Sequence, residues 1–311
     1  MKMVRRKVIC IALAVAMLLS LCTAAGAVQV QQEKSAVFSV EAFSIGNGYV
    51  VEPVWVSVSE NENAAQVLDR LLTQNGIAYD YAGTLQENYY LKTLYVENSA
   101  NIPQCIVNEI GDYIDEGSGT KLGEYEYTAL AGWLITVNGA PLNVGLCDYY
   151  PAQGDVVRVQ FSLYYGADIG LAEAMEMDKW MGIYDFYPVA QKEAATCILA
   201  QIHQDKSVLE NEKMQNLYNQ ALEAVQTVNT TQNDLNQALF ALVSALHDDI
   251  QTGDANLNGT LEVADVLLIQ KYIARSETMT VLQQAVSDTD ENGLISVEDV
   301  LAVQKMLAKA A

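Results

Sequence analysis

The sequence contains few of the residues on which catalytic and nucleic-acid-binding sites most often depend. Histidine occurs twice in 311 residues, and Lys and Arg together number 17 against 39 Asp and Glu. The formal net charge of −22 excludes nucleic acid as an expected partner, because contact with phosphates requires a positive surface. The excess of carboxylates favours solubility and the binding of cations.

The sequence also lacks the short motifs of common enzyme classes. It has no G-x-S-x-G, no H-E-x-x-H and no glycine-rich phosphate loop. His203 has no cysteine or histidine at ligand spacing, and His247 falls at a predicted helix end, where a cation stabilises the helix dipole. We therefore predict a protein that is not an enzyme.

Cysteine is scarce beyond the N-terminal segment. Cys105, Cys147 and Cys197 are too few for a disulfide framework. Cys105 and Cys147 fall in one predicted domain and are candidates to pair. The alternative, which we prefer, is three unpaired and mostly buried thiols.

A long hydrophobic run occurs only near the N-terminus. Four basic residues precede an apolar run from Val8 to Leu21, and an Ala-Gly-Ala sequence at 25–27 resembles a cleavage site. This order predicts a signal peptide over residues 1–27 rather than a membrane anchor. No later stretch is apolar for long enough to span a bilayer. We expect an exported, soluble protein whose net charge becomes −26, since its first 27 residues carry four bases and no acids.

Residues 36–166 have the pattern of a mixed α and β domain. Apolar and polar residues alternate over 37–43, 50–58 and 156–161, which predicts strands with one buried face. Asn63 to Asn75 carries apolar residues at helical spacing and is followed by Gly76. The Asn-Gly and Gly-Asp pairs at 138–139 and 154–155 predict turns.

Residues 170–250 change to a helical composition. Thr231 is the predicted N-cap of one helix, with Asp234 in its first turn. Three amphipathic helices predict a small bundle. Their apolar stripes are Ala194, Ile198 and Ile202; Met214, Leu217, Ala221 and Val225; and Leu235, Ala238, Leu239, Leu242, Ala245 and Leu246.

The C-terminal segment contains a duplicated stretch. The 22 residues that begin at Asp254 and the 22 that begin at Asp288, 34 positions later, share ten identities. Each copy is a twelve-residue loop with glycine at position six, followed by a predicted helix that begins Asp-Val-Leu-x-x-Gln-Lys. So short a segment has few core residues of its own, and we expect it to need an additional stabilising link to fold.

The duplicated loops have the composition of calcium sites. Calcium takes six to eight oxygen ligands, and an EF-hand loop supplies them from positions one, three, five, seven, nine and twelve. Because the spacing, the glycine and the oxygen donors agree in both copies, we predict two Ca²⁺ ions. The predicted ligands are Asp254, Asn256, Asn258, the Thr260 carbonyl, Glu262 and Asp265 in the first loop, and Asp288, Asp290, Asn292, the Leu294 carbonyl, Ser296 and Asp299 in the second.

On these residues, 253–309 resembles a type I dockerin. The resemblance implies two F-hand repeats, each a calcium loop with one helix, that bind a cohesin domain of a scaffolding protein. The near-symmetry of the copies would allow either helix to dominate the contact. By resemblance, the partner-binding residues are Val263, Ala264, Gln270, Lys271 and Arg275 in the first copy and Val297, Glu298, Gln304, Lys305 and Lys309 in the second.

The N-terminal segment resembles the transcobalamin C-terminal-like domains of exported bacterial proteins. The resemblance spans residues 36–170 and is carried by Gly132–Gly139, Asn143–Gly145 and Gly154–Phe161. It implies a β-grasp-like sheet with one crossing helix. Trp133, Tyr149 and Tyr150 form a candidate ligand surface for a sugar, a cobamide or a protein. For Trp133 we prefer core packing, and for the two tyrosines both roles remain open.

The middle segment, residues 189–249, resembles FIVAR-type helical modules of bacterial surface proteins. The similarity is carried by Asn229–Leu239 and Leu242–Leu246. It implies a spacer or an adhesive unit, of which we prefer the spacer.

Taken together, the sequence predicts a multi-domain α+β protein with a β-grasp-like domain, a three-helix bundle and an all-α calcium-binding dockerin. The predicted function is that of a secreted, non-catalytic modular protein. We expect it to dock onto a cohesin-bearing scaffold of a cellulosome-like surface complex that acts in polysaccharide catabolism, and to present an N-terminal binding or adhesion domain. The alternative is a cobamide- or carbohydrate-capturing protein anchored by the same dockerin.

Overall fold

The described part of the chain combines a mixed sheet, a smaller second sheet and a series of helices. The structure is a computed structural model that describes residues 34–246, 251–274, 276–277, 279, 281–290 and 295–310. The predicted signal peptide and His247 lie outside these residues. The strands are β1 (Lys34–Glu41), β2 (Tyr49–Val58), β3 (Ala78–Ala82), β4 (Tyr90–Tyr95), β5 (Leu122–Gly123), β6 (Gly132–Val137), β7 (Ala140–Pro141) and β8 (Val156–Ser162).

The helices lie mainly in the second half of the chain. They are α1 (Ala64–Gln74), α2 (Gln104–Ile110), α3 (Met177–Met181), α4 (Glu193–Gln204), α5 (Glu212–Gln226), α6 (Gln232–Leu246), α7 (Val263–Ile273), α8 (Val281–Ser287) and α9 (Val297–Ala310). Among the described residues, no helix has both the length and the apolar character needed to cross a membrane.

The larger sheet has the strand order β2-β1-β8-β6-β7. Strands β1 and β8 run parallel at its centre, while the other neighbouring pairs are antiparallel. Asn138 and Gly139 form the predicted turn between β6 and β7, with positive φ at both residues. Strands β3, β4 and β5 form the second, antiparallel sheet.

The central strands are buried on both faces, which corrects the expectation of one buried face. Phe38 of β1 joins the main hydrophobic core, whereas Val37, on the opposite face, packs in a cluster with Ala200 of α4. Every residue of β8 is buried. The alternating pattern predicted a solvent-exposed face on these strands. That prediction was wrong because α4, from the helical segment, covers this face.

Helix α1 confirms the helix predicted between Asn63 and Asn75. The Asn63 side chain accepts a hydrogen bond from the Gln66 N–H at 2.9 Å, and the Gln66 side chain accepts one from the Asn63 N–H at 3.1 Å. This capping box satisfies two backbone donors that the first turn leaves without partners. The helix buries its four predicted apolar residues, Val67, Leu68, Leu71 and Leu72.

The helical segment forms three helices, α4 to α6, as the stripes predict. Thr231 caps α6, because its Oγ1 accepts a hydrogen bond from the Asp234 N–H at 3.1 Å. Helices α5 and α6 pack on each other, but α4 packs mainly on β2. Its buried apolar positions are accordingly Ala195, Leu199, Ala200 and Ile202, so that Ile202 is the one predicted stripe residue that is buried, whereas Ala194 and Ile198 are only partly buried.

The C-terminal segment has a small hydrophobic core of its own. Val266 and Ile269 of α7 meet Val300 and Val303 of α9 in this cluster, and α8 lies against α6. The three cysteines considered above, Cys105, Cys147 and Cys197, are free thiols, so Cys105 and Cys147 do not pair.

Candidate calcium-binding loops and docking face

The first predicted calcium loop runs from Asp254 to Asp265 and folds tightly ahead of α7. Gly259, at position six, has φ of +80°, a conformation that favours glycine because a Cβ is unfavourable there. Leu257 has φ of +60°. The two left-handed residues turn the chain back on itself, so that loop positions far apart in sequence come together.

The two ends of this loop place buried carboxylates close to each other. Asp254 and Asp265 have no exposed surface. Asp254 accepts hydrogen bonds from the N–H groups of Gly259 at 2.8 Å and Asn258 at 3.1 Å. Asp265 accepts them from the N–H groups of Asn256 at 3.0 Å and Glu262 at 2.8 Å. Backbone donors therefore fix the orientation of both carboxylates.

Burial and like charge make this arrangement costly without a cation. Burial raises the pKa of Asp254, and the nearby charge of Asp265 raises it further, while hydrogen bonds from backbone N–H groups act in the opposite direction. A divalent cation would offset both unfavourable contributions, because buried charges are normally paired or coordinate metals.

The remaining predicted side-chain ligands of the first loop form hydrogen bonds with one another. The Nδ2 of Asn258 donates to Oε1 of Glu262 at 2.9 Å, and Nδ2 of Asn256 donates to the same oxygen at 3.3 Å. The Asn258 Oδ1 accepts from the N–H of Thr260 at 2.8 Å. The structure therefore brings positions three, five and nine together, and their oxygens are the hard donors that calcium prefers.

The second loop brings three carboxylates together. Asp288, Asp290 and Asp299 each offer an oxygen, and these oxygens lie within 4.8 Å of one another. The Ser296 N–H donates to Asp299 Oδ2 at 2.8 Å, the same distance and loop position as the bond from Glu262 to Asp265. Asn292 and Leu294 lie outside the described residues. The donor set that is described fits a calcium ion.

The predicted partner-binding residues lie on exposed faces of α7 and α9. Val263 is 75% exposed and Val297 is 70% exposed, although both are apolar. The other predicted contacts in the described chain are also exposed: Ala264, Gln270, Lys271, Glu298, Gln304, Lys305 and Lys309. Arg275 lies outside the described residues.

Two further apolar residues extend these faces and were missed by the sequence reasoning. Leu267 is 51% exposed and Leu301 is 48% exposed. Each lies one helical turn after the exposed valine of its own copy, and each is 34 positions from the other. The repeat and the helical spacing were the signals that would have identified them. We call Val263, Leu267, Gln270 and Lys271 the first docking face, and Val297, Leu301, Gln304 and Lys305 the second.

The predicted ligand surface of the N-terminal segment is only partly exposed. Trp133 is 6% exposed, packs on Phe161 and donates from Nε1 to the Leu122 carbonyl at 3.2 Å, so it belongs to the core. Tyr149 is partly buried and donates to Asp155 at 2.5 Å. Tyr150 is 54% exposed.

A different set of tyrosines is exposed near the second sheet. Tyr90, Tyr125 and Tyr165 all have exposed side chains. Burial and a hydrogen bond to Glu124 raise the pKa of Tyr90 to about 12, and Tyr125 and Tyr165 lie near enough to contribute. We call Tyr90, Tyr125 and Tyr165 the tyrosine patch.

Backbone strain accompanies this patch. Tyr125 has φ of +63° and Tyr165 has φ of +46°, which is unfavourable for a bulky residue. Hydrogen bonds hold both in place, from the Tyr125 N–H to the Ala131 carbonyl at 3.2 Å and from the Tyr165 N–H to the Leu130 carbonyl at 3.3 Å. Sequence patterns reveal neither this strain nor the exposure of the three tyrosines, and none of the three was among the residues predicted to form a ligand surface.

Comparison with known proteins identifies one segment of the chain. Residues 252–308 match the family described as the dockerin type I domain. Type I dockerin domains bind calcium and dock onto cohesin-bearing scaffolds. No curated protein matches the chain.

Proposed function

We propose that this chain is a secreted, non-catalytic modular protein that docks through its dockerin segment onto a cohesin-bearing scaffold in a calcium-dependent manner. The observation that carries the proposal is the pair of docking faces, each with an exposed valine and leucine beside a glutamine and a lysine. Exposed apolar residues at repeated positions are typical of interaction surfaces. Hydrolysis of any member of a polysaccharide panel by the full chain would contradict its non-catalytic character.

We propose that two calcium ions hold the faces in position, one in each loop. Asp265 lies two residues from Val263, and Asp299 lies two residues from Val297, so each loop ends inside the helix that carries a face. A cation that fixes position twelve therefore also fixes the first turn of the helix.

The docking proposal predicts that one intact docking face is sufficient for cohesin binding. Leu267→Glu alone and Leu301→Glu alone should each leave cohesin binding within about threefold, because the second face remains. The double variant should lose at least about 100-fold, since a buried unpaired charge costs several kcal/mol. Surface plasmon resonance of the full chain against type I cohesins measures the three affinities.

The control is Gln251→Glu, which introduces the same charge at an exposed residue directly before the segment, outside both faces and both calcium loops. An equal loss in this control, or full binding by the double variant, would contradict the assignment of the faces. Circular dichroism with calcium present verifies that each variant retains its helices.

We propose a β-grasp-like, transcobalamin C-terminal-like domain for residues 36–170. The support is the mixed sheet, in which β1 and β8 run parallel at the centre and α1 follows the hairpin of β1 and β2. We propose that this domain presents a binding or adhesion surface at the tyrosine patch. A carbohydrate or a cobamide is the alternative ligand, because aromatic side chains with polar tips suit both.

The tyrosine patch predicts a specific effect of substitution. Tyr125→Ala should weaken ligand binding by about tenfold or more while leaving the sheet intact, because the side chain is 74% exposed. Calorimetric titration of the full chain with soluble glycans and with cobalamin measures this change in affinity. Tyr184→Ala is the control, since Tyr184 is 61% exposed and lies outside the patch. Equal affinities for both variants and the parent would contradict a role for the patch.

For residues 189–249 we propose a FIVAR-like helical module that acts as a spacer. The capped helix α6 and the pairing of α5 with α6 support this. The contact of α4 with β2, and the hydrophobic core that the three helices share with the sheet, mean that this module packs on the sheet directly rather than being tethered by a free linker.

A further inference from the structure

A cavity of about 220 Å³ lies between the larger sheet and the start of α4. Phe43, Thr136 and Arg158 line it from the sheet side, and residues 189–193 line it from the helical side. Its wall is therefore partly apolar with a few polar groups, the composition of a site for a small molecule. Its volume exceeds the roughly 150 Å³ that holds benzene, so it suits a small molecule no larger than a substituted single ring.

Lys192 lines this cavity, and its amine lies over the ring of Phe43, another lining residue. The residue is 2% exposed, and its Nζ donates to the Thr227 carbonyl at 2.9 Å and lies 5.3 Å from the centre of the Phe43 ring. No ion pair of Lys192 occurs among the described residues within 4.0 Å. An ammonium group in such a place is costly, because buried charges are normally paired.

The acidic groups near Lys192 are already bound by Arg158. Arg158 donates from Nε and Nη2 to both oxygens of Glu41, at 2.9 and 2.8 Å, and from Nη1 to Glu193 at 3.0 Å. Burial first, and the positive charge of Arg158 second, lower the pKa of Lys192 to about 7, although Glu41 and Glu193 act in the opposite direction. The lowered pKa leaves this amine uncharged, with its lone pair available, at a lower pH than an exposed lysine would require.

The charges around the cavity decide which ligand fits. Arg158 and Glu193, the charged residues that line the cavity besides Lys192, already pair with each other, so a neutral compound fits there without needing a counter-charge. Buried lysines beside another cation are the ones that act as nucleophiles toward carbonyl groups. We propose that Lys192 binds a small neutral aldehyde or ketone in this cavity as a reversible imine.

The proposed step needs no further reactant. The Nζ lone pair attacks the carbonyl carbon, a C–N bond forms, and the carbonyl oxygen takes up a proton as nitrogen loses one. The carbinolamine then loses its oxygen as water and becomes an imine. Hydrolysis reverses the sequence and releases the carbonyl compound, so nothing is oxidised or reduced.

Reductive trapping on the full chain tests this inference. The protein is incubated at pH 7 with acetaldehyde and cyanoborohydride, which reduces an imine to a stable ethylamine, and the modified lysines are located by peptide mass spectrometry. Lys192 should be ethylated at least about tenfold faster than Lys179. Lys179 is the internal control, because it is exposed and its ion pair with Glu176 raises its pKa. Equal or slower labelling at Lys192 would overturn the proposal.

Two further measurements distinguish a carbonyl-binding site in the cavity from a lysine that is reactive without such a site. Labelling of Lys192 should rise through about pH 7 and then level off, while that of Lys179 continues to rise at higher pH. A polycyclic aromatic aldehyde, too large for the cavity, should label Lys179 but not Lys192. Labelling of Lys192 that lacks this pH profile, or that proceeds equally with the large aldehyde, would contradict a carbonyl site enclosed by the cavity.

Discussion

At the scale of single residues, the most consequential group in the sheet is Arg158. It is buried on β8 and makes three hydrogen bonds to two carboxylates that come from distant parts of the chain, Glu41 and Glu193. The pair with Glu41 joins two neighbouring strands, and the bond to Glu193 joins the sheet to α4. One side chain thus connects the larger sheet to the helical segment.

Loss of Arg158 should be strongly destabilising. Arg158→Ala leaves the buried carboxylate of Glu41 without its partner, which costs about 3–5 kcal/mol in the free energy of unfolding. Urea denaturation measured by circular dichroism tests this. Arg70→Ala is the control, since the Arg70 side chain is 35% exposed in its pair with Glu62 and such pairs contribute about 1 kcal/mol or less. Equal losses in the two variants would contradict the importance of burial.

At the scale of secondary-structure elements, the caps are the best example of local control. Asn63 begins α1 with a capping box, and its Nδ2 also donates to the Leu85 carbonyl at 2.9 Å. The same residue therefore ends the loop before the helix and holds the segment that precedes β4. A local sequence signal here has a tertiary consequence.

Substitution of this capping residue should have a measurable effect on the free energy of unfolding. Asn63→Ala should lower the free energy of unfolding by about 1–2 kcal/mol, because it removes the acceptor for the Gln66 N–H and the donor to Leu85. Gln74→Ala, at the exposed end of the same helix, is the control and should change it by less than about 0.5 kcal/mol. Thermal denaturation of both variants is sufficient. A larger effect at Gln74 would contradict the role of the cap.

Elements with a local signal were predictable from the sequence, and elements defined by tertiary contacts were not. Helix α1, the Thr231 cap of α6 and the Asn138-Gly139 turn depend on neighbours along the chain, and the structure confirms them. Strands β3 and β4 were not predicted, since both are short, β3 has no buried residue, and β4 buries only Leu91 and Leu94. The double burial of β1 depends on α4, which lies far along the sequence.

The candidate sites show the same division. The duplicated loops could be recognised in the sequence because a calcium site would fix both the ligand types and their spacing, and the structure places the carboxylates of Asp288, Asp290 and Asp299 together. The cavity at Lys192 was not predictable, because Phe43, Arg158 and Thr227 come from separate segments. No sequence pattern links them.

At the scale of the whole molecule, a large hydrophobic core joins the sheets to α4, α5 and α6, whereas the dockerin segment has a small core of its own. Removal of calcium should therefore affect the two parts unequally. A chelator should lower the thermal midpoint of the dockerin segment while leaving the main transition within about 2 °C, since the small core depends on the loops and the large core does not.

Differential scanning calorimetry of the full chain, with calcium and with excess chelator, measures both transitions. Asp265→Ala provides a variant that is expected to mimic the chelator in the first loop only. A main transition that shifts as far as the dockerin transition would contradict the independence of the two cores.

The central claim is that calcium-loaded loops present two helix faces to a cohesin. Its most direct measurement is the affinity of the full chain for a panel of type I cohesins, determined once with calcium and once with excess chelator. The account predicts tight binding to at least one cohesin with calcium and a loss of at least about 1,000-fold without it. Binding that is undiminished in excess chelator, or absent from the whole panel with calcium, would contradict the account.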